Sequence, residues 1–198
     1  MLRKITKKLH IKKEALVSIF IALIMVFSAF GVIFYGYTNP TDNLKYGNFK
    51  FTQTQSGGYA TDIDGKNYVF TDYPGYVDKI NISGEAISGL IGKKMVYLTY
   101  DPNQTGVEEI ATVQYQLQNE LNSIGVFSRN AFTKPNDYHL PIITCANATQ
   151  YVPVIEFRES NETRLDYGNQ CYVLHAAYSE DFVRLKDRLL FGIMGIIK

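Results

Sequence analysis

Four residues of this 198-residue chain combine types that can ligate a metal, form a bridge or act as nucleophile and base: His139, Cys145, Cys171 and His175. A zinc site would need all four around one ion with bonds near about 2 Å. In a strand, residues 171 and 175 share a face but stand about 13 Å apart, and 139 and 145 would be separated by about 20 Å in extended chain. That spacing disfavours zinc, and no metal site or cofactor is expected. A cysteine nucleophile would need a free thiol beside a histidine base, and a bridged cysteine cannot supply one. The sequence contains no Gly-x-Ser-x-Gly elbow, phosphate loop, dinucleotide fingerprint, paired-histidine metal motif or calcium loop. No catalytic residue is assigned.

A second candidate is polar. Asp101 and Asn103 follow the run Met-Val-Tyr-Leu-Thr-Tyr at 95–100, and Thr144 and Asn147 flank Cys145. In an open α/β sheet ligands gather beyond the carboxyl ends of the strands, which would make Asp101 an acid with Thr144 and Asn147 as polar positioners. Ordinary turn chemistry accounts for Asp-Pro-Asn equally well. Asn-x-Ser/Thr occurs at Asn81, Asn103, Asn147 and Asn161, four candidate glycosylation acceptors. A glycan on Asn103 or Asn147 would crowd a catalytic cleft at that edge.

The elements that would position these residues are legible in part. Residues 49–51, 59–63 and 68–70 alternate around Gly57-Gly58 and the hairpin dipeptide Asp64-Gly65, predicting an antiparallel meander. A further strand is expected over 79–82, and Ser83 caps a short helix carrying Ile87, Leu90 and Ile91. The run at 95–100 reads as a central strand buried on both faces. Thr105-Gly-Val-Glu108 reads as a capping box before a helix with Val107, Ile110, Leu117, Leu121 and Ile124 in one stripe, ended by Gly125. With Val126-Phe127 next, this is a βαβ unit. Short strands follow over 142–145, 152–157, 163–166 and 171–175, with Gly168-Asn169 as a turn. Ser179 is expected to cap a last helix bearing Phe182, Leu185, Leu189 and Ile193. The fold class is α/β or α+β, one mixed sheet with packed helices in a single domain. The apolar stretch 191–197 should pack into the core, with a membrane or partner contact as its alternative.

Before that domain lie six basic residues among the first thirteen, then residues 15–37 without a charge. At about 1.5 Å per residue the uncharged run forms a helix of roughly 35 Å, enough for a hydrocarbon core of about 30 Å. We read residues 1–13 as a basic cytoplasmic tail, 14–37 as a transmembrane anchor, 38–48 as a stalk and 49–198 as an extracytoplasmic domain. Tyr35 and Tyr37 suit the outer interface ahead of Asn39-Pro40. A cleaved signal would have a shorter apolar core and a small-x-small site. On the exported side the two cysteines read as a disulfide, closing a loop of about 26 residues worth roughly 3 to 4 kcal/mol. Residues 38–198 carry 14 Lys or Arg against 18 Asp or Glu, and the one dense basic cluster is the tail, which excludes a nucleic-acid surface. The expected partners are the lipid bilayer and an envelope protein.

Thr144-Cys145-Ala-Asn147-Ala-Thr149 with Val152-Pro-Val-Ile155, then Gly168-Asn-Gln-Cys171-Tyr-Val-Leu174, then Asp187-Arg-Leu-Leu-Phe-Gly-Ile-Met-Gly195, resemble a group of uncharacterised archaeal single-pass membrane proteins. These pieces cover the C-terminal third, and the layout of basic start, anchor and exported domain matches along the chain. The resemblance implies archaeal origin and membrane topology, favours the Cys145–Cys171 pairing, and carries no activity. The leading expectation is a membrane-anchored extracytoplasmic binding or assembly module of the cell envelope. Its rival is an envelope hydrolase at the carboxyl edge around Asp101 and Asn147.

Overall fold

The computed structural model describes residues 13–37 and 44–198, with side chains in the first stretch described at 15 and 17–28. The chain divides into two compact units, residues 1–42 and 43–198. Helix α1 (Lys13–Tyr37) makes the first. Large apolar side chains are exposed at 17, 19–21 and 23–27, on every side of that helix. Among the described residues no helix is long and apolar enough to cross a membrane. The tail at 1–12, residues 38–43 of the stalk, and the side chains of Tyr35 and Tyr37 lie outside the described residues.

The second unit holds two sheets, where a single sheet was expected. An antiparallel meander runs β1 (Leu44–Tyr46), β2 (Phe49–Gln53), β3 (Tyr59–Ile63) and β4 (Lys66–Phe70). β1 falls inside the expected stalk because Leu44 and Tyr46 pair with Phe51 and Phe49 and pack against the core. Asp64 and Gly65 form the β3–β4 turn, both at positive φ, as the twist of a two-residue hairpin requires. Two short helices follow, α2 (Pro74–Val77) and α3 (Gly84–Leu90). No strand forms over 79–82: the Ile80 carbonyl accepts from Arg188 Nε at 2.9 Å instead of from a neighbouring strand.

The larger sheet contains β5 (Met95–Tyr100), β6 (Phe127–Phe132), β7 (Val154–Glu159), β8 (Arg164–Gly168) and β9 (Cys171–Ala176), in the order β6-β5-β7-β9-β8. β5, β6, β7 and β9 are parallel, and only β8 runs against its neighbour. Helix α4 (Val107–Ser123) links β5 to β6 as the expected crossover, and α5 (Asp181–Ile193) follows β9. The turn before β9 sits one residue later than expected, with Asn169 and Gln170 both at positive φ. Residues 142–145 form no strand: Ile142 makes one bridge to Phe132, and Cys145–Asn147 is a single 3-10 turn.

Helices and meander share one core on one face of this sheet. Val96, Leu98, Ile155, Phe157, Tyr172 and Leu174 point into it, meeting Leu90, Leu117, Leu121, Leu185 and Leu189. Phe191 of α5 lies 4.5 Å from Phe70 and 6.2 Å from Phe51 between ring centroids, so α5 is wedged between the two sheets. Ile196 and Ile197 are also buried, so the 191–197 stretch packs largely into the core, with Ile193 and Met194 partly buried and Gly195 exposed.

Candidate functional site

Two places gather the sequence-predicted residues. The first is the carboxyl end of the parallel strands. Strand order reverses at β5, so the crevice between the ends of β5 and β7 is where a ligand would enter an open α/β sheet. The chain fills it itself. Gln104 donates through Nε2 to the Phe157 carbonyl at 3.2 Å and accepts from Glu159 N at 3.3 Å, continuing the ladder with a side-chain amide. Thr105 gives both its backbone N–H and its hydroxyl to Glu159. The expected capping box therefore does not form, and Gly106, at φ 66°, caps α4 without a side-chain bond.

Asp101 sits at this end as expected, with a different role. Its carboxylate lies 2.5 Å from Lys134 Nζ and accepts from Asn103 N at 3.0 Å. The Lys134 contact first, and the Asn103 bond second, hold its carboxyl below the usual range, so it stays ionised and donates no proton near neutrality. Thr144 and Asn147 bond to each other, with Asn147 Oδ1 accepting from Thr144 N at 2.8 Å. Among the described residues no hydrogen bond or ion pair joins them to Asp101. The four sequon asparagines, Asn81, Asn103, Asn147 and Asn161, are all exposed.

Beside the filled crevice a cleft of about 480 Å³ opens over the ends of β5 and β6 and the first turns of α4. Tyr100, Phe132, Tyr138, Leu140, Val107 and Ala111 supply most of its wall. Tyr100 and Phe132 meet edge to face at 4.9 Å, and burial, then Tyr138, raises the Tyr100 phenol. Tyr138 is 76% exposed, on a loop that Asn136 ties by accepting from Tyr138 N and Leu140 N and donating to the Leu140 carbonyl. A polar recess of about 310 Å³, walled by Asn103, Asn136 and Asp137, shares Pro102 and Tyr138 with the cleft. His139 is an exposed member of this loop, at φ 57° with Nδ1 2.9 Å from the Asp137 carbonyl.

The second place is the opposite face of the large sheet, crossed by the segment 141–149. Thr99 Oγ1 anchors that segment by donating to the Ile143 carbonyl at 2.8 Å. Cys145 is thereby set over Cys171 at the start of β9, and the two are bridged with Cα atoms 5.3 Å apart. Strand register aligns Glu156, Val173 and Asp166 in one row and Arg158, His175 and Arg164 in the next. Arg158 pairs with Glu156, Arg164 with Asp166, and His175 Nε2 with Asp166 at 3.0 Å. Burial and the nearby Arg164 lower the His175 pKa more than Asp166 raises it, so the ring is neutral at neutral pH.

No protein-family model, curated protein or solved structure matches this chain.

Glu156 is the functional candidate that sequence reasoning missed. Candidate ligand atoms of Cys145, Glu156 and Cys171 lie within 4.8 Å of one another. With the sulfurs bonded to each other neither is a thiolate, and the histidines take no part in the group. In the sequence Glu156 interrupts the apolar run 152–157, and that interruption was the available signal.

Proposed function

We propose that the chain is a membrane-anchored extracytoplasmic binding module, with its ligand site in the cleft under Tyr138. The observation that carries the binding assignment is the pairing of an apolar, aromatic-walled cleft with a polar recess across one exposed tyrosine. Such a pair suits an amphipathic ligand whose apolar part enters between Tyr100, Phe132 and Leu140 while its polar part meets Asn136 and Asp137. The acid expected for the rival hydrolase, Asp101, is held ionised by Lys134.

Support for the anchor comes from the uncharged run at 15–37 and the basic residues before it. The exposed apolar side chains around α1 fit lipid on every side. The bridge fits an oxidising compartment. The archaeal resemblance agrees with this layout.

The test is cross-linking in intact cells, followed by purification of the full chain from membranes and mass spectrometry of what accompanies it. Wild type should retain a stoichiometric ligand or envelope partner, and Tyr138→Ala with Leu140→Ala should lose it without a change in melting temperature. Retention by the double variant would move the site elsewhere, and a chain recovered alone from both would sink the binding reading.

A further inference from the structure

The bridge has surroundings that a purely structural disulfide does not need. Cys171 is buried, whereas Cys145 is half-exposed in the 3-10 turn, and a cleft of about 270 Å³ opens on both. Beneath them is Glu156, only 6% exposed. Its Oε1 takes both contacts from Arg158. Its Oε2 points at Cys145 Sγ, 3.4 Å away.

A disulfide sulfur carries no hydrogen, so that approach is not a hydrogen bond while the bridge is closed. Among the described residues no other group is bonded to Oε2. The oxidised protein thus holds a buried carboxylate oxygen that lacks a donor, a costly arrangement. Opening the bridge supplies the donor, because a Cys145 thiol at the same place has an S–H to give. The buried carboxylate favours the dithiol form and stands where a proton must move during exchange.

We propose that Cys145–Cys171 is a reversible thiol–disulfide exchange site, with Glu156 as its proton relay and an external dithiol as its redox partner. The first thiol of the partner passes its proton to Glu156 Oε2, and its thiolate attacks Cys145 Sγ, on the less buried of the two cysteines. The Cys145–Cys171 bond breaks with its electron pair on Cys171, which takes the proton back from Glu156, leaving a mixed disulfide on Cys145. The partner's second thiolate then attacks its own sulfur in that mixed disulfide. Cys145 leaves and is protonated with the proton that the second thiol released. Two electrons and two protons pass from the partner dithiol, which becomes a disulfide, to the two cysteines. The reverse sequence oxidises a substrate dithiol. This site is separate from the cleft under Tyr138 and does not depend on what that cleft binds.

The test uses the full chain in detergent, with dithiothreitol as reductant and quenched thiol alkylation read by intact mass. The folded protein should open its bridge at a rate within about tenfold of the same chain in guanidinium, whereas a bridge released only by unfolding would be slower by orders of magnitude. Glu156→Gln should slow folded-state opening by about a hundredfold. In Cys171→Ser, oxidised glutathione should form an adduct on Cys145, and in Cys145→Ser the buried Cys171 should stay unmodified. The proposal fails if wild type opens only at its global unfolding rate, a comparison that needs no variant. It fails equally if Glu156→Gln, with an unchanged circular dichroism spectrum, exchanges at the wild-type rate, or if Cys171 takes the adduct.

Discussion

Lys186, 1% exposed, is the least expected residue of the core. Its Nζ reaches Glu120 Oε1 at 2.7 Å and Asp187 Oδ1 at 2.6 Å, while Asp187 Oδ2 accepts from Asp72 N at 2.7 Å. Burial alone would lower the Lys186 pKa, but Asp187 and Glu120 together outweigh it and hold it raised. Burial pushes Glu120 up, and it does the same to Asp72 with help from Asp187, so the cation is what makes this acidic cluster tolerable. Lys186→Met, which strands those carboxylates, should cost about 3 to 5 kcal/mol in a urea titration. His175 sets an acid limit on stability. Its folded pKa lies below the ordinary 6.5, so the unfolded chain binds the proton first. Stability present above 6.5 should fall as pH drops through the folded value, and His175→Gln should flatten that part of a melting-temperature profile. The apolar stripe of α5 was readable as Phe182, Leu185 and Leu189, whereas the burial of Lys186, Asp187 and Arg188 was not. Periodicity shows one covered side of a helix and does not reveal a second sheet on the other.

At the scale of elements, local signals held where nothing distant competed for the same group. Ser83 accepts from Ala86 N at 3.1 Å and caps α3 as its sequence predicts. Gly125, at φ 81°, ends α4. Thr105 and Ser179 carry equally good cap chemistry and do not cap. Thr105 is diverted to Glu159, fifty-four positions away, and α5 starts after Glu180 with no side-chain cap. Ser83→Ala should therefore cost about 1 kcal/mol in chemical denaturation, and Ser179→Ala less than about 0.5 kcal/mol. The βαβ unit of β5, α4 and β6 was legible because its pattern is local. The placing of β7 on the far side of β5 was not, since the connection from β6 contains no α-helix to mark a crossover. For the same reason Asp101 was visible at the carboxyl end of the strands, but Lys134 and Gln104 reach it and its neighbouring crevice through folding alone.

For the whole second unit, the bridge ties the segment 141–149, with its single 3-10 turn, to the sheet face opposite the core. Cys145→Ser with Cys171→Ser should lower stability by roughly 3 to 4 kcal/mol through the loop of 26 residues, an effect that vanishes when wild type is measured reduced. The cysteine pair was readable from the composition, which holds two cysteines, whereas the carboxylate under it needed the register of β7 against β9. The wedge position of α5 governs the order of events during synthesis. The meander emerges first, the parallel sheet next, and neither can close its apolar face against the other until Phe191 arrives to meet Phe51 and Phe70. Contacts so distant in sequence slow a fold and leave half-made sheets waiting. The apolar faces of both sheets therefore stay open toward each other until α5 has been made.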